Sequence, residues 1–105
     1  MLGLIAVAAA GCASTADLAK GFREDRDRCV GRLFMDPDSW WCGWSDAIQK
    51  TTVGDSTDEY LIAREDMGRC RWVYVVDRES RRVTDWRFAG GEEDCYNRID
   101  WLGPW

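Results

Sequence analysis

The stretch from Cys70 to Cys95 constrains the fold of this chain most, because it predicts a β-hairpin with one cysteine at each end. Its two strands are predicted at residues 70–77 and 82–89, where successive side chains point to opposite faces of a sheet. The first of these strands carries apolar side chains on both faces, so it is predicted to be central in a sheet. The second has one polar face and is predicted to be an edge strand.

The residues before this hairpin predict one more strand and a helix. The segment EYLIAR at 59–64 predicts the first strand of a three-stranded antiparallel meander. Residues 45–50 are interpreted as a short helical turn and residues 51–58, which contain Gly54, as a mobile polar loop. The fold class is therefore predicted to be α+β, with an N-terminal helix packed on the meander and disulfides bracing it.

The helix is predicted over residues 14–32, with Ser14 or Thr15 as its cap and Asp17 in its first turn. Spacings of four, seven and four residues place one set of apolar side chains near a single face. That predicted core face comprises Leu18, Phe22, Cys29 and Leu33.

The chain begins with an apolar run, Leu2 to Ala10, that has the length of a signal peptide and is too short for a stable membrane span. Its end, Ala-Ala-Gly-Cys at residues 9–12, resembles the lipobox of bacterial lipoproteins. The resemblance implies removal of residues 1–11 and acylation of Cys12. Residues 12–105 would then form a single small periplasmic domain anchored to the membrane through Cys12, and Ala13 favours the outer membrane. The alternatives are an ordinary secretory signal and a cytosolic chain with an apolar start.

Four cysteines remain when Cys12 is set aside, and four in a small exported domain predict two disulfides with three possible connectivities. The preferred pairing is Cys29 with Cys42 and Cys70 with Cys95, since the predicted hairpin places Cys70 opposite the residues just before Cys95. A zinc site is disfavoured because the sequence has no CxxC pair and no histidine.

Charge and composition argue against several classes of function. The net charge of -5 argues against nucleic acid as a partner, since phosphate binding requires a basic face. The complete lack of histidine removes the usual general base near neutral pH and the commonest metal ligand. We therefore expect a protein that is not an enzyme, with no catalytic residues, no metal site and no cofactor.

The segment DPDSWWCGWSD places three tryptophans, Trp40, Trp41 and Trp44, close together in the chain. If these rings are exposed, they predict a partner-binding surface, with Arg71 and Arg87 as polar neighbours, or a platform for sugar rings in peptidoglycan. If at least two of them are buried, they supply core volume to a domain with few other large side chains.

The strand segments EYLIARE, CRWVYVVD and RVTDWRFAG resemble the SmpA/OmlA (BamE-like) family of small outer-membrane lipoproteins over about residues 58–91. The resemblance implies helices on one face of a three-stranded sheet and a role as a scaffold or accessory among envelope-assembly proteins. Two alternatives stay open, a glycan-binding module that recognises peptidoglycan and a small inhibitor of a lysozyme or protease.

Overall fold

The computed structural model describes residues 15–97 and shows one α-helix with a four-stranded antiparallel sheet. The predicted signal peptide at 1–11 and the acylation site Cys12 lie outside the described residues. The α+β class is confirmed, but the sheet has one strand more than predicted. The elements are α1 (Thr15–Cys29), β1 (Ala47–Val53), β2 (Thr57–Ala63), β3 (Arg71–Asp77) and β4 (Val83–Gly90), and the strands follow one another in the order β1-β2-β3-β4.

The additional strand is β1, which lies where the sequence predicts a short helical turn and a mobile loop. Residues 47–53 pair with β2 from Ala47 opposite Ile62 to Val53 opposite Thr57, with an irregularity between residues 47 and 49. Apart from Ala47, every residue of β1 is exposed. An edge strand that is solvated on both faces lacks the apolar alternation by which strands are predicted, although its Thr-Thr-Val end has high strand propensity.

Arg78 fixes the hairpin that joins β1 to β2. Its guanidinium donates to the Asp58 carboxylate at 3.1 Å and to the carbonyl of Asp55 at 2.7 Å. Asp58 is fully buried, and its hydrogen bond with Arg78 holds the pKa of the carboxyl below its usual value. Lys50 of β1 approaches the other oxygen of the same carboxylate at 3.8 Å. A charge network centred on the buried Asp58 carboxylate therefore ties the additional strand to the sheet.

The helix ends at Cys29, earlier than predicted, and the chain then runs beside the start of β4. Gly31 donates to the carbonyl of Val83 at 2.7 Å, and Phe34 donates to the carbonyl of Arg81 at 2.8 Å. In this extended stretch Leu33, which was predicted to face the core, is 43% exposed, and Phe34 is buried in its place. Pairing with β4 therefore replaces the last predicted turn of the helix.

The core lies between α1, the loop that follows it, and one face of the sheet, and it is built largely from aromatic rings. Phe22 of the helix meets Trp72 of β3 edge to face, with ring centroids 5.2 Å apart. Phe34 stacks on Tyr60 of β2 with ring centroids 4.0 Å apart. Such pairs add to the gain from burying large apolar surfaces. A few large side chains therefore fill the interior of this small domain.

Both preferred disulfides are present. Cys29–Cys42 joins the end of α1 to the loop before β1, and Cys70–Cys95 joins the start of β3 to the segment after β4. All four cysteines are buried. In the part of the chain that the structure describes, no helix is both long and apolar enough to cross a bilayer.

Candidate binding surface around Trp40 and Arg26

The tryptophan cluster divides between the core and the surface. Trp44 is only 3% exposed, and its indole nitrogen donates to the carbonyl of Asp36 at 3.0 Å, so it belongs to the core. Trp41 is half-buried, with the guanidinium of Arg32 5.5 Å from its ring centroid. Trp40 is 75% exposed. Trp44 therefore lies in the core, Trp41 is partly buried, and Trp40 faces solvent.

A short 3-10 helix, Pro37–Cys42, positions Trp40. The side chain of Asp36 caps this helix by accepting from the backbone amide of Asp38 at 3.0 Å. At its other end Cys42 is held by the disulfide to Cys29, and its carbonyl accepts a hydrogen bond from the Tyr74 hydroxyl. Burial raises the pKa of Tyr74 to about 12, so this phenol is a neutral donor at physiological pH. The exposed ring therefore projects from a firmly anchored segment.

Trp40 belongs to an exposed apolar patch that it forms with Met35 and Pro37. Met35 is 53% exposed, and Pro37 is exposed as well. The three residues border a shallow hollow of about 160 Å³ together with Asp36, Trp44 and Ser45. Met35 has a φ of 72°, a left-handed conformation that is uncommon for a non-glycine residue. Backbone strain of this kind is concentrated at functional positions. We call this surface the Met35–Trp40 patch.

A second hollow, a cleft of about 270 Å³, is also lined by Trp40. Its aromatic lining consists of Trp40, Trp41 and Phe22, and Met67 adds a further apolar side chain. Its polar lining combines two carboxylates, two guanidinium groups and one amide, which belong to Asp25, Asp66, Arg26, Arg64 and Asn97. We call it the Arg26 cleft. Aromatic walls with a few convergent polar groups are typical of sites for small molecules.

Arg26 is the unusual residue of this cleft because it is a buried cation. It is only 4% exposed, and its guanidinium carbon lies 4.6 Å from the ring centroid of Phe22 and 5.1 Å from that of Trp72. One terminal nitrogen donates to the carbonyl of Trp41 at 3.1 Å, whereas Nε has no hydrogen-bond partner among the residues that the structure describes. Burial lowers the pKa of Arg26, but an arginine stays protonated near neutral pH.

The carboxylates of the cleft are engaged elsewhere. Asp25 accepts from Arg28 at 2.7 Å and from the amide of Asn97 at 3.1 Å. Asp66 accepts from Arg64 at 3.2 Å. Among the side chains that the structure describes, no carboxylate forms an ion pair with Arg26, and Asp25 acts on it only as a nearby negative charge. Its positive charge therefore has no direct carboxylate partner among the described side chains that line this cleft.

The structure does not bring the two predicted arginine neighbours to the tryptophans. Arg71 donates to the carbonyl of Cys70 at 3.1 Å, and Arg87 makes two hydrogen bonds with the Glu59 carboxylate at 2.7 and 2.9 Å. This pairing raises the pKa of Arg87 and lowers that of Glu59. Because side chains alternate along a strand, Arg71 and Arg87 lie on the face of the sheet opposite Trp72.

Sequence reasoning missed Arg26 and Met35 as candidate site residues. A signal for Arg26 was available, since it lies four residues after Phe22 and three before Cys29, on the apolar face of the predicted helix. A charge in that position is either paired or functional. No pattern in the sequence signals the left-handed backbone of Met35.

No metal site emerges from the described residues, where no group of three or more His, Cys, Asp or Glu side chains could hold an ion. Comparison of the chain with protein-family models, curated proteins and solved structures gives no significant match. The resemblance to the SmpA/OmlA family therefore stays a prediction, and the functional argument depends on the site itself.

Proposed function

We propose that this chain is a non-enzymatic lipoprotein that acts as a scaffold or accessory in envelope assembly, on the periplasmic face of the outer membrane. The Met35–Trp40 patch is the observation that carries the proposal. Exposed tryptophan and methionine side chains on a rigid support are typical of the apolar centres of protein interfaces. A domain that buries most of its large apolar side chains gains no stability from leaving these three in water.

The two disulfides and the Cys12 motif support the proposed location. Disulfides form and persist in exported proteins and are rare in the reducing cytosol. Acylation of Cys12 with more than one chain would anchor the domain stably, whereas one chain binds a membrane only marginally. The domain would thus work at the membrane surface.

Lipid attachment at Cys12 has a direct test. Cells that express the chain are fed an alkyne-labelled fatty acid, and the purified protein is examined for label. We expect label on the wild type and none on Cys12→Ser, because the thiol is the proposed acceptor. Cys12→Ser leaves the four disulfide cysteines in place, so its folding provides the control. Unlabelled wild type, or label that survives Cys12→Ser, would overturn the lipoprotein assignment.

If a partner protein docks at the Met35–Trp40 patch, mutations in the patch should reduce the amount of partner that is captured. Intact protein is crosslinked mildly in native envelopes, and its partners are identified by mass spectrometry. We expect barrel-assembly subunits or outer-membrane barrels with the wild type, and recovery reduced at least about tenfold in Met35→Asp and Trp40→Ala. Asp suits the left-handed backbone at position 35, so that variant is expected to fold.

The matched control for this experiment is Val53→Ser, which changes an exposed apolar residue on β1 at the β1–β2 hairpin. We expect it to capture the same partners as the wild type. Equal recovery with all three variants would contradict docking at the patch. Recovery of a lysozyme or protease alone would contradict the scaffold and favour the inhibitor alternative.

Glycan binding is the second candidate function, and the Arg26 cleft favours it. The indole rings of Trp40 and Trp41 offer flat apolar surfaces, and carboxylate and amide groups beside them can bond to sugar hydroxyls. The cleft and the Met35–Trp40 patch share Trp40 but differ in their other residues. The two functions can therefore be separated by mutation.

A further inference from the structure

We propose that the Arg26 cleft binds a small acidic sugar, whose carboxylate pairs with Arg26 while its ring packs against Trp40 and Trp41. This inference rests on the glycan-binding candidate and adds the chemical class of the ligand. It is independent of partner docking at the Met35–Trp40 patch.

The unpaired charge of Arg26 is the first reason. Removing a cation from water is costly unless an anion pairs with it. Arg26 is buried, no described carboxylate forms an ion pair with it, and Asp25 acts on it only as a nearby charge. One of its nitrogens bonds to the Trp41 carbonyl, and its Nε has no partner. The carboxylates that line the cleft are already paired with Arg28 and Arg64. An anion entering the cleft would supply the missing counter-charge.

The residues that line the cleft favour a sugar acid over an inorganic anion or a neutral sugar. Its indole walls suit a ring with apolar faces, and Asp66 and Asn97 at its polar side suit hydroxyl groups. Its volume of about 270 Å³ is slightly smaller than the usual range for ligand pockets, about 300–1,000 Å³, and so favours a single sugar unit. A neutral sugar would leave Arg26 uncompensated, and an inorganic anion would leave the indole walls uncovered.

The test uses matched ligand pairs on the oxidised wild-type protein, with calorimetry and tryptophan fluorescence as readouts. Glucuronate is compared with glucose, and N-acetylmuramate with N-acetylglucosamine, because each pair differs by a carboxylate-bearing group. We expect at least one acidic member to bind about tenfold or more tighter than its neutral counterpart, the gain typical of a charge-assisted hydrogen bond. The pair that shows the preference identifies whether the carboxylate belongs to a uronate or to a lactyl ether.

Arg26→Met provides the variant, since methionine keeps much of the apolar stem and removes the charge. We expect it to lose the preference for the acidic sugar. Urea unfolding of the variant, followed by tryptophan fluorescence, shows that it is folded when its binding is measured. Arg71→Met is the control, on the other face of the sheet, and should bind like the wild type.

The experiment distinguishes failure of the proposed Arg26 contact from failure of the glycan-binding candidate. Equal affinity for acidic and neutral sugars in the wild type would overturn the role of Arg26 while the glycan-binding candidate survives. Binding of no sugar at all would overturn both. Retention of the acid preference in folded Arg26→Met would likewise overturn the proposed contact.

Discussion

Replacing Cys70 and Cys95 together with alanine is expected to lower the free energy of unfolding by about 3 kcal/mol. The disulfide closes a loop with a sequence separation of 25 residues, and opening it restores chain entropy to the unfolded state. The bridge between Cys29 and Cys42 closes a shorter loop of 13 residues, so its loss is expected to cost slightly less. Domains of this size are stable by only about 5–15 kcal/mol, and loss of both bridges would remove a large part of that stability.

Urea unfolding followed by tryptophan fluorescence measures this effect on each double variant and on the reduced wild type. The order of stability should be wild type, then either double variant, then the fully reduced protein. The unreduced wild type in the same buffer is the control for buffer effects. If full reduction leaves the unfolding midpoint unchanged, the disulfides do not brace the fold and the argument for export loses its structural support.

Trp72→Ala is expected to destabilise the domain by about 3–5 kcal/mol, the usual range for deleting a large buried aromatic side chain. Trp72 is fully buried, meets Phe22 with ring centroids 5.2 Å apart, and lies beneath the guanidinium of Arg26. Gly43 also packs closely on it, since a Cβ there would lie 3.2 Å from the Trp72 ring. Its removal would leave a cavity where helix, loop and sheet meet.

Trp40→Ala is the matched control for this prediction, because it deletes the same side chain from a position that is 75% exposed. We expect it to change the free energy of unfolding by less than about 0.5 kcal/mol. The measurement is again urea unfolding. A comparable loss in both variants would mean that Trp40 packs in the folded protein and would remove the Met35–Trp40 patch from consideration.

The strongly patterned parts of the fold were predictable from the sequence. Apolar side chains on both faces of residues 70–77 predicted that β3 is an interior strand, and the hairpin geometry predicted that Cys95 is the partner of Cys70. The strand β1 was missed because its residues face water on both sides, so it carries no hydrophobic period. The exchange of Leu33 for Phe34 in the core was missed because pairing with β4 replaces the last helical turn, which is a tertiary effect.

The candidate site was predictable only in part. Composition drew attention to the tryptophan cluster, but a 3-10 helix that ends in a left-handed Gly43 distributes its rings between surface and core. The spacing of the three tryptophans in the sequence does not predict which ring is exposed and which is buried. Arg26 and the cleft depend on contacts between α1, the loop and residues near β2, which are distant in the chain. Their assembly required the structure.

Site-specific photocrosslinking in native envelopes tests the central claim, that this domain presents the Met35–Trp40 patch to an envelope partner. A benzophenone amino acid replaces Trp40 in one protein and Val53 in another, and both are irradiated in cells. We expect covalent adducts with an outer-membrane or barrel-assembly protein from position 40 and none from position 53. Equal adducts from both positions, or none from position 40 in a folded and exported protein, would contradict the claim.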